Sequence, residues 1–123
     1  MDITNLRITA EDTPDPNWRF TVTYTATFTS AEAHNTPNQL FADRVRFWEW
    51  DVSDHDLLVD WTSERVFDPG AQSVIRTFVV SIPKDTIDTE SGAEEVRAEI
   101  ALRNHSIAGN WLTRFTSQIS IGV

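Results

Sequence analysis

The chain contains no cysteine. That excludes disulfides, thiolate metal sites and a cysteine nucleophile. Glycine occurs only four times, and no Gly-rich phosphate loop is present. Lysine occurs once, as Lys84, beside nine arginines, which reads as compositional bias rather than function. No apolar run approaches the ~18 residues that span a bilayer, which argues against membrane insertion. The N-terminal Met1-Asp2-Ile3-Thr4-Asn5 is polar and lacks a basic stretch followed by an apolar one. No signal peptide is visible there, which favours a cytoplasmic location. There is no Gly-x-Ser-x-Gly elbow, and the three histidines, His34, His55 and His105, fall in expected loops. Two histidines without a third ligand make a poor zinc site. No catalytic residue is assigned, and an enzyme is not expected.

Positive charge is also scarce. The net charge is −9, which argues against a nucleic-acid partner, since phosphates need a Lys/Arg surface. It equally opposes adsorption to anionic lipid.

What the chain has is period-two alternation over 123 residues, a length that fits one domain, residues 1–123. Between Trp18 and Thr29 the residues Trp18, Phe20, Val22, Tyr24, Ala26 and Phe28 share one face, and arginine and threonines take the other. A helix would scatter them, whereas a strand sets them on one side. The same logic predicts strands over 2–10, 41–52, 57–61, 72–82, 94–104 and 111–123. In the third, the apolar phase shifts from Val45 and Phe47 to Trp48, Trp50 and Val52, which implies a β-bulge or burial on both faces. In the last, Trp111, Phe115, Ile119, Ile121 and Val123 are in one phase. Residues 83–89 are expected to make a helical turn with Ile87 plugging the core. Asp12-Thr13-Pro14-Asp15-Pro16-Asn17, Asn35-Thr36-Pro37-Asn38 and Asp68-Pro69-Gly70 supply turn chemistry between strands.

Seven half-buried strands imply an all-β fold of two packed antiparallel sheets. The order of strand lengths resembles an immunoglobulin or fibronectin type III domain, so an immunoglobulin-like β-sandwich is expected. Two hallmarks are missing: there is no inter-sheet cysteine pair, and Val96 stands where a corner tyrosine would start the sixth strand. Trp48 or Trp50 is the expected core tryptophan.

That topology places three connections at one end of the sandwich. They carry Glu11, Asp12, Asp15, Asp51, Asp54, Asp56, Asp85, Asp88, Glu90, Glu94 and Glu95 against Lys84 alone. An acidic pole follows. Solvation is its plainest use. Calcium is another, because Ca²⁺ wants six to eight oxygens and carboxylates converging from several loops supply them. The candidate ligands are Asp51, Asp54, Asp56, Asp12 and Asp15, and the segment Asp51–Asp56 resembles the calcium loops of C2 domains. A basic protein partner is the third use. Five tryptophans exceed what one core absorbs, so Trp48, Trp50 and Trp61 are candidate interface residues. The combination of sandwich and Trp face resembles carbohydrate-binding modules. The leading expectation is a binding or structural module that acts through protein contacts, self-association included, with no cofactor other than possible Ca²⁺.

Overall fold

A computed structural model of the chain describes residues 1–34, 39–51, 54–87 and 93–122. The described residues form nine strands and two single-turn helices. In order these are β1 (Asp2–Asp12), β2 (Asn17–Thr27), α1 (Ser30–Ala33), β3 (Phe41–Trp50), β4 (His55–Val59), β5 (Arg65–Phe67), β6 (Ser73–Pro83), α2 (Lys84–Ile87), β7 (Ala93–Asn104), β8 (Leu112–Phe115) and β9 (Ile119–Gly122). Strands β1-β2-β6 make the smaller sheet. The larger has the order β4-β3-β7-β8, with β5 also on β3 and β9 also on β7. Every pairing is antiparallel. The two sheets pack face to face as a β-sandwich. Among the described residues no helix is long and apolar enough to cross a membrane.

Alternation explains the core. Phe20, Val22, Tyr24 and Ala26 of β2 meet Phe41, Val45 and Phe47 of β3 and Val96, Ala98, Ile100 and Leu102 of β7. Phe20 touches Phe47 with ring centroids 5.4 Å apart, and Phe28 touches Phe41 at 4.5 Å. Ile3 and Ile8 both point inward although they are five positions apart, an odd spacing that a regular strand forbids. A register shift between Thr4 and Arg7 resolves this, with Asn5 at φ 51°, a conformation asparagine tolerates. Ile87 is fully buried from α2, as expected.

Three expectations change. The core tryptophan is Trp18, not Trp48 or Trp50. β3 keeps its phase against β7, so Phe47 and Glu49 point inward while Trp48 and Trp50 point outward. The irregularity lies on the other side, between β3 and β4 at Phe47/Trp48. The last strand is two strands. Thr116 interrupts it, donating its N–H to Ala98 O at 2.9 Å and accepting the Ala98 N–H on Oγ1 at 3.1 Å. Trp111 and Phe115 consequently lie on the outer face while Ile121 is buried. The three-residue strand β5 was not anticipated.

A polar cluster ties the sheets together. Asp43 points inward from β3 and is fully buried. It accepts the Tyr24 hydroxyl at 2.8 Å, two N–H groups of Arg65 at 2.9 and 3.0 Å, and the Arg76 Nε at 2.9 Å. The guanidiniums of Arg65 and Arg76 lie over Phe78 and Phe67, at 3.6 and 3.9 Å from the ring centroids. Burial pushes the Tyr24 hydroxyl well above the usual tyrosine range, and the adjoining Asp43 carboxylate adds to this. For Arg76, burial alone would favour deprotonation. The hydrogen bond and charge of Asp43 outweigh it and hold the guanidinium above its ordinary value.

The register also fixes the ends. Asn17 pairs with Pro83 and Trp50 with His55, while Phe20 lies on Phe47. Asp12, Asn17, Trp50, His55, Pro83 and Ala93 therefore lie at one end of the sandwich, as the strand spacing predicts.

Candidate functional site on the outer face of the larger sheet

Alternation that buries Val45 and Phe47 turns Arg44, Arg46, Trp48 and Trp50 outward along β3. On β7 the outward set is Glu95, Arg97, Glu99, Ala101 and Arg103. Cross-strand pairing sets Arg46 against Glu99 and Trp48 against Arg97. Trp61, Trp111 and Phe115 reach onto this face from the segment after β4 and from the start and end of the β8 region.

The result is a ladder of alternating cations and rings. Arg103 lies over Trp111 at 4.4 Å, Arg44 over Trp111 at 4.2 Å and over Trp61 at 4.5 Å. Arg46 continues it, 4.3 Å from Trp61 and 4.9 Å from Trp48. Beside it Arg97 lies over Trp50 at 4.6 Å and Phe115 at 5.1 Å. Four of the nine arginines in a chain of net charge −9 are thus gathered on one face.

The charge on this face is partly met. Glu99 accepts from Arg46 Nε and, at 3.1 Å, from Trp48 Nε1. Glu64 takes Arg103 at 3.0 Å and contacts His105 Nδ1 at 3.2 Å. Burial opposes the ionisation of Glu64. The hydrogen bonds and charges of His105 and Arg103 outweigh it and hold the carboxyl below its ordinary value. Among the described residues Arg44 and Arg97 have no carboxylate partner. The Arg44 Nε lacks a hydrogen bond, and the Arg97 Nε donates to the Thr116 carbonyl at 2.8 Å.

This geometry has a chemical consequence. A guanidinium that stacks through its flat face keeps its N–H groups in the plane, aimed away from the ring. The ladder holds its guanidiniums in place against the rings, with the Arg44 Nε buried and unpaired among the described residues. It also uses up aromatic faces. Trp61 carries Arg44 and Arg46, and Trp50 carries Arg97 and the His55 ring, whose centroid is 3.6 Å away. Rings so covered are poor platforms for a sugar.

The sequence-predicted interface residues Trp48, Trp50 and Trp61 all lie on this face, each half-buried. The arginines between them were missed. Their signal was available: Arg44-x-Arg46-x-Trp48-x-Trp50 puts four cationic or aromatic side chains on one phase of a strand. The candidate metal ligands Asp51, Asp54 and Asp56 lie near one another where β3 meets β4, but they and Asp12 and Asp15 do not converge as one ligand set among the described residues. Asp12 pairs with Lys84, Asp15 is exposed, and Asp56 pairs in register with Glu49. Asp51 donates its backbone N–H to Asp54 O at 2.8 Å. Val52 and Ser53 in that turn, like Asp88 and Glu90, lie outside the described residues. Among the described residues no three His, Asp or Glu side chains gather closely enough to hold a metal ion.

At the acidic end of the face, Trp50, Asp51, His55, Glu95 and Gln118 line an open groove of ≈560 Å³. The opposite face of the sandwich is unlike this one. It presents Thr21, Thr23, Thr25 and Thr27 of β2 beside Ile75 and Val79 of β6. Comparison with known proteins finds no family model, no curated sequence and no solved structure that matches this chain.

Proposed function

We propose that the chain is a non-catalytic binding module that docks a carboxylate-rich protein surface on the outer face of the larger sheet. One observation carries the reading. In a chain of net charge −9, the guanidiniums of Arg44 and Arg97 are held over rings with no ion pair to a carboxylate among the described residues, although Glu95 and Glu99 flank Arg97 along β7. Stacked arginines pre-pay the ordering that a bidentate carboxylate contact requires, and Trp and Arg are the residues that dominate protein interfaces. The strand order, β1-β2-β6 against β4-β3-β7-β8, supports an immunoglobulin-like sandwich, an architecture whose open sheet faces are free to dock. A second copy of the chain qualifies as partner, because its own pole is acidic.

Titration with poly-L-glutamate, read by tryptophan fluorescence, tests the docking chemistry. A saturable change is expected, weakened by salt and lost in the Arg44→Ala/Arg97→Ala variant. A response no larger than that to neutral dextran, or one unchanged in the variant, overturns the reading. Light scattering after size exclusion decides the self-association version: a strict monomer at micromolar concentration removes it and leaves a different acidic protein as the partner.

A further inference from the structure

The groove at the acidic end has a chemistry that the ladder does not use. Trp50 and His55 line it as a stacked pair, with planes 17° apart. Asp51 and Glu95 flank the stack, and Gln118 closes the groove from the segment between β8 and β9. Neither carboxylate has a side-chain hydrogen bond or ion pair with a described residue. Two unpaired acids beside an aromatic stack, in a concavity, are the inverse of the ladder.

We propose that this groove binds a guanidinium group, such as the arginine side chain of a peptide. The choice follows from three exclusions. A metal ion is held by three or more acidic or imidazole side chains brought close together, and no such group forms among the described residues. A neutral sugar needs an open ring face, and Trp50 already carries His55 and, at 4.6 Å, Arg97. A simple ammonium is a point charge that cannot use the flat surface of the exposed imidazole. A guanidinium uses all of the lining. Its fork meets a carboxylate through two parallel N–H groups, its face lies on His55, and its remaining N–H reaches the Gln118 amide oxygen. A cleft lined by one sign of charge concentrates counter-ions, and Asp54 and Asp56 reinforce it from the same hairpin. Arg97 has its Nε committed to the Thr116 carbonyl at 2.8 Å. The proposal does not rest on the ladder, because it uses acids where the ladder uses cations.

NMR titration of the full chain with N-acetyl-arginine amide is the test. The Trp50 indole N–H and the Gln118 side-chain amide are expected to move together and saturate, with a Kd of about 1 mM for so small a probe. Glu95→Gln and Asp51→Asn are each expected to weaken binding about tenfold, the loss of one charge-assisted contact. Arg44→Ala is expected to leave it unchanged, which separates this site from the docking face. N-acetyl-lysine amide is expected to bind more weakly, and glucose not at all. Equal binding of the lysine probe or of glucose overturns the proposal. So does saturation of the same signals by CaCl₂, or their failure to move with the arginine probe. Signals in the unaltered chain decide the matter even where a variant unfolds.

Discussion

Arginine meets aromatic rings in two places in this molecule, and the two are finished differently. Inside, Arg65 and Arg76 lie on Phe78 and Phe67, and both close on the fully buried Asp43. Outside, Arg44 and Arg97 lie on Trp61, Trp111, Trp50 and Phe115 and close on no carboxylate among the described residues. Stacking is common to both, so it cannot be what distinguishes structure from function. The counter-ion does. A guanidinium with its carboxylate beside it is a tie between elements, and one without is an open valence. The inner cluster joins β2, β3, β5 and β6 across the sandwich. The outer one joins strands of one sheet and their loops, and faces solvent.

The largest effect that separates them is expected at Asp43. Asp43→Ala leaves the buried Tyr24 hydroxyl and two partly exposed guanidiniums without their shared acceptor. Breaking a fully buried pair costs roughly 3–5 kcal/mol, and solvent access to Arg65 and Arg76 brings the expected loss down to about 2–4 kcal/mol. Urea unfolding is the measurement. A loss below about 1 kcal/mol, the scale of exposed pairs, would place the inner cluster in the same class as the outer one and erase the comparison.

A smaller effect is expected at Tyr24. Tyr24→Phe leaves the buried Asp43 short of one donor, at about 1–3 kcal/mol near neutral pH. The hydroxyl also gives a pH signature. Its folded pKa is raised, so the folded state keeps the proton while the unfolded chain releases it near about pH 10. The stability it contributes is present below that pH and is lost as pH rises beyond it. Thermal midpoints are expected to fall above about pH 10 in the unaltered chain, and more gently in Tyr24→Phe. Parallel curves would show that burial of the hydroxyl is not felt by folding.

How much of this contrast was legible beforehand depends on the range of the signal. Strand alternation is local, so β2 and β7 were readable from Trp18–Thr29 and Val96–Leu102. It also located the acidic end, because turn residues punctuate the same pattern. β5 escaped because Arg65–Phe67 is too short to display a period. Asp43 looked like one polar residue in a strand. Its meaning lies in Tyr24, Arg65 and Arg76, which are 19, 22 and 33 positions away. Alternation names two faces but not which one the second sheet covers. That is why Trp48 or Trp50 was expected in the core position that Trp18 occupies. The ladder needed Trp61 and Trp111, which arrive from loops whose course no periodicity predicts.

On the outer face the order of effects is expected to invert. Arg44→Ala removes two cation–π contacts at a half-buried site, together about 1–2 kcal/mol, and leaves no buried acid unpaired. Its stability loss is therefore expected to be below that of Asp43→Ala, while its loss of poly-L-glutamate binding is expected to be the larger of the two. Asp43→Ala, in conditions where it stays folded, is expected to bind poly-L-glutamate as the unaltered chain does. Equal binding losses in both variants would mean that the two clusters act as one unit.

The smallest effect lies at Glu64, the carboxylate that closes the end of the ladder. His105 and Arg103 hold its pKa below the ordinary value against the opposing pull of burial. A depressed carboxylate contributes stability that is fully present above the unfolded value, about pH 4.3, and disappears as pH falls through the lower folded value. The unaltered chain is thus expected to lose stability below about pH 4.3 slightly faster than Glu64→Gln, which has no proton to take up there. The pair is exposed, so the difference is small and screened, and thermal melts in low salt between these two chains are the way to see it. At neutral pH the same substitution frees Arg103 from its acid and adds one more open guanidinium to the face. If open valence is what makes this surface bind, Glu64→Gln is expected to tighten poly-L-glutamate binding modestly while it weakens the fold. If the ladder only holds the sheet together, the two measurements are expected to fall together.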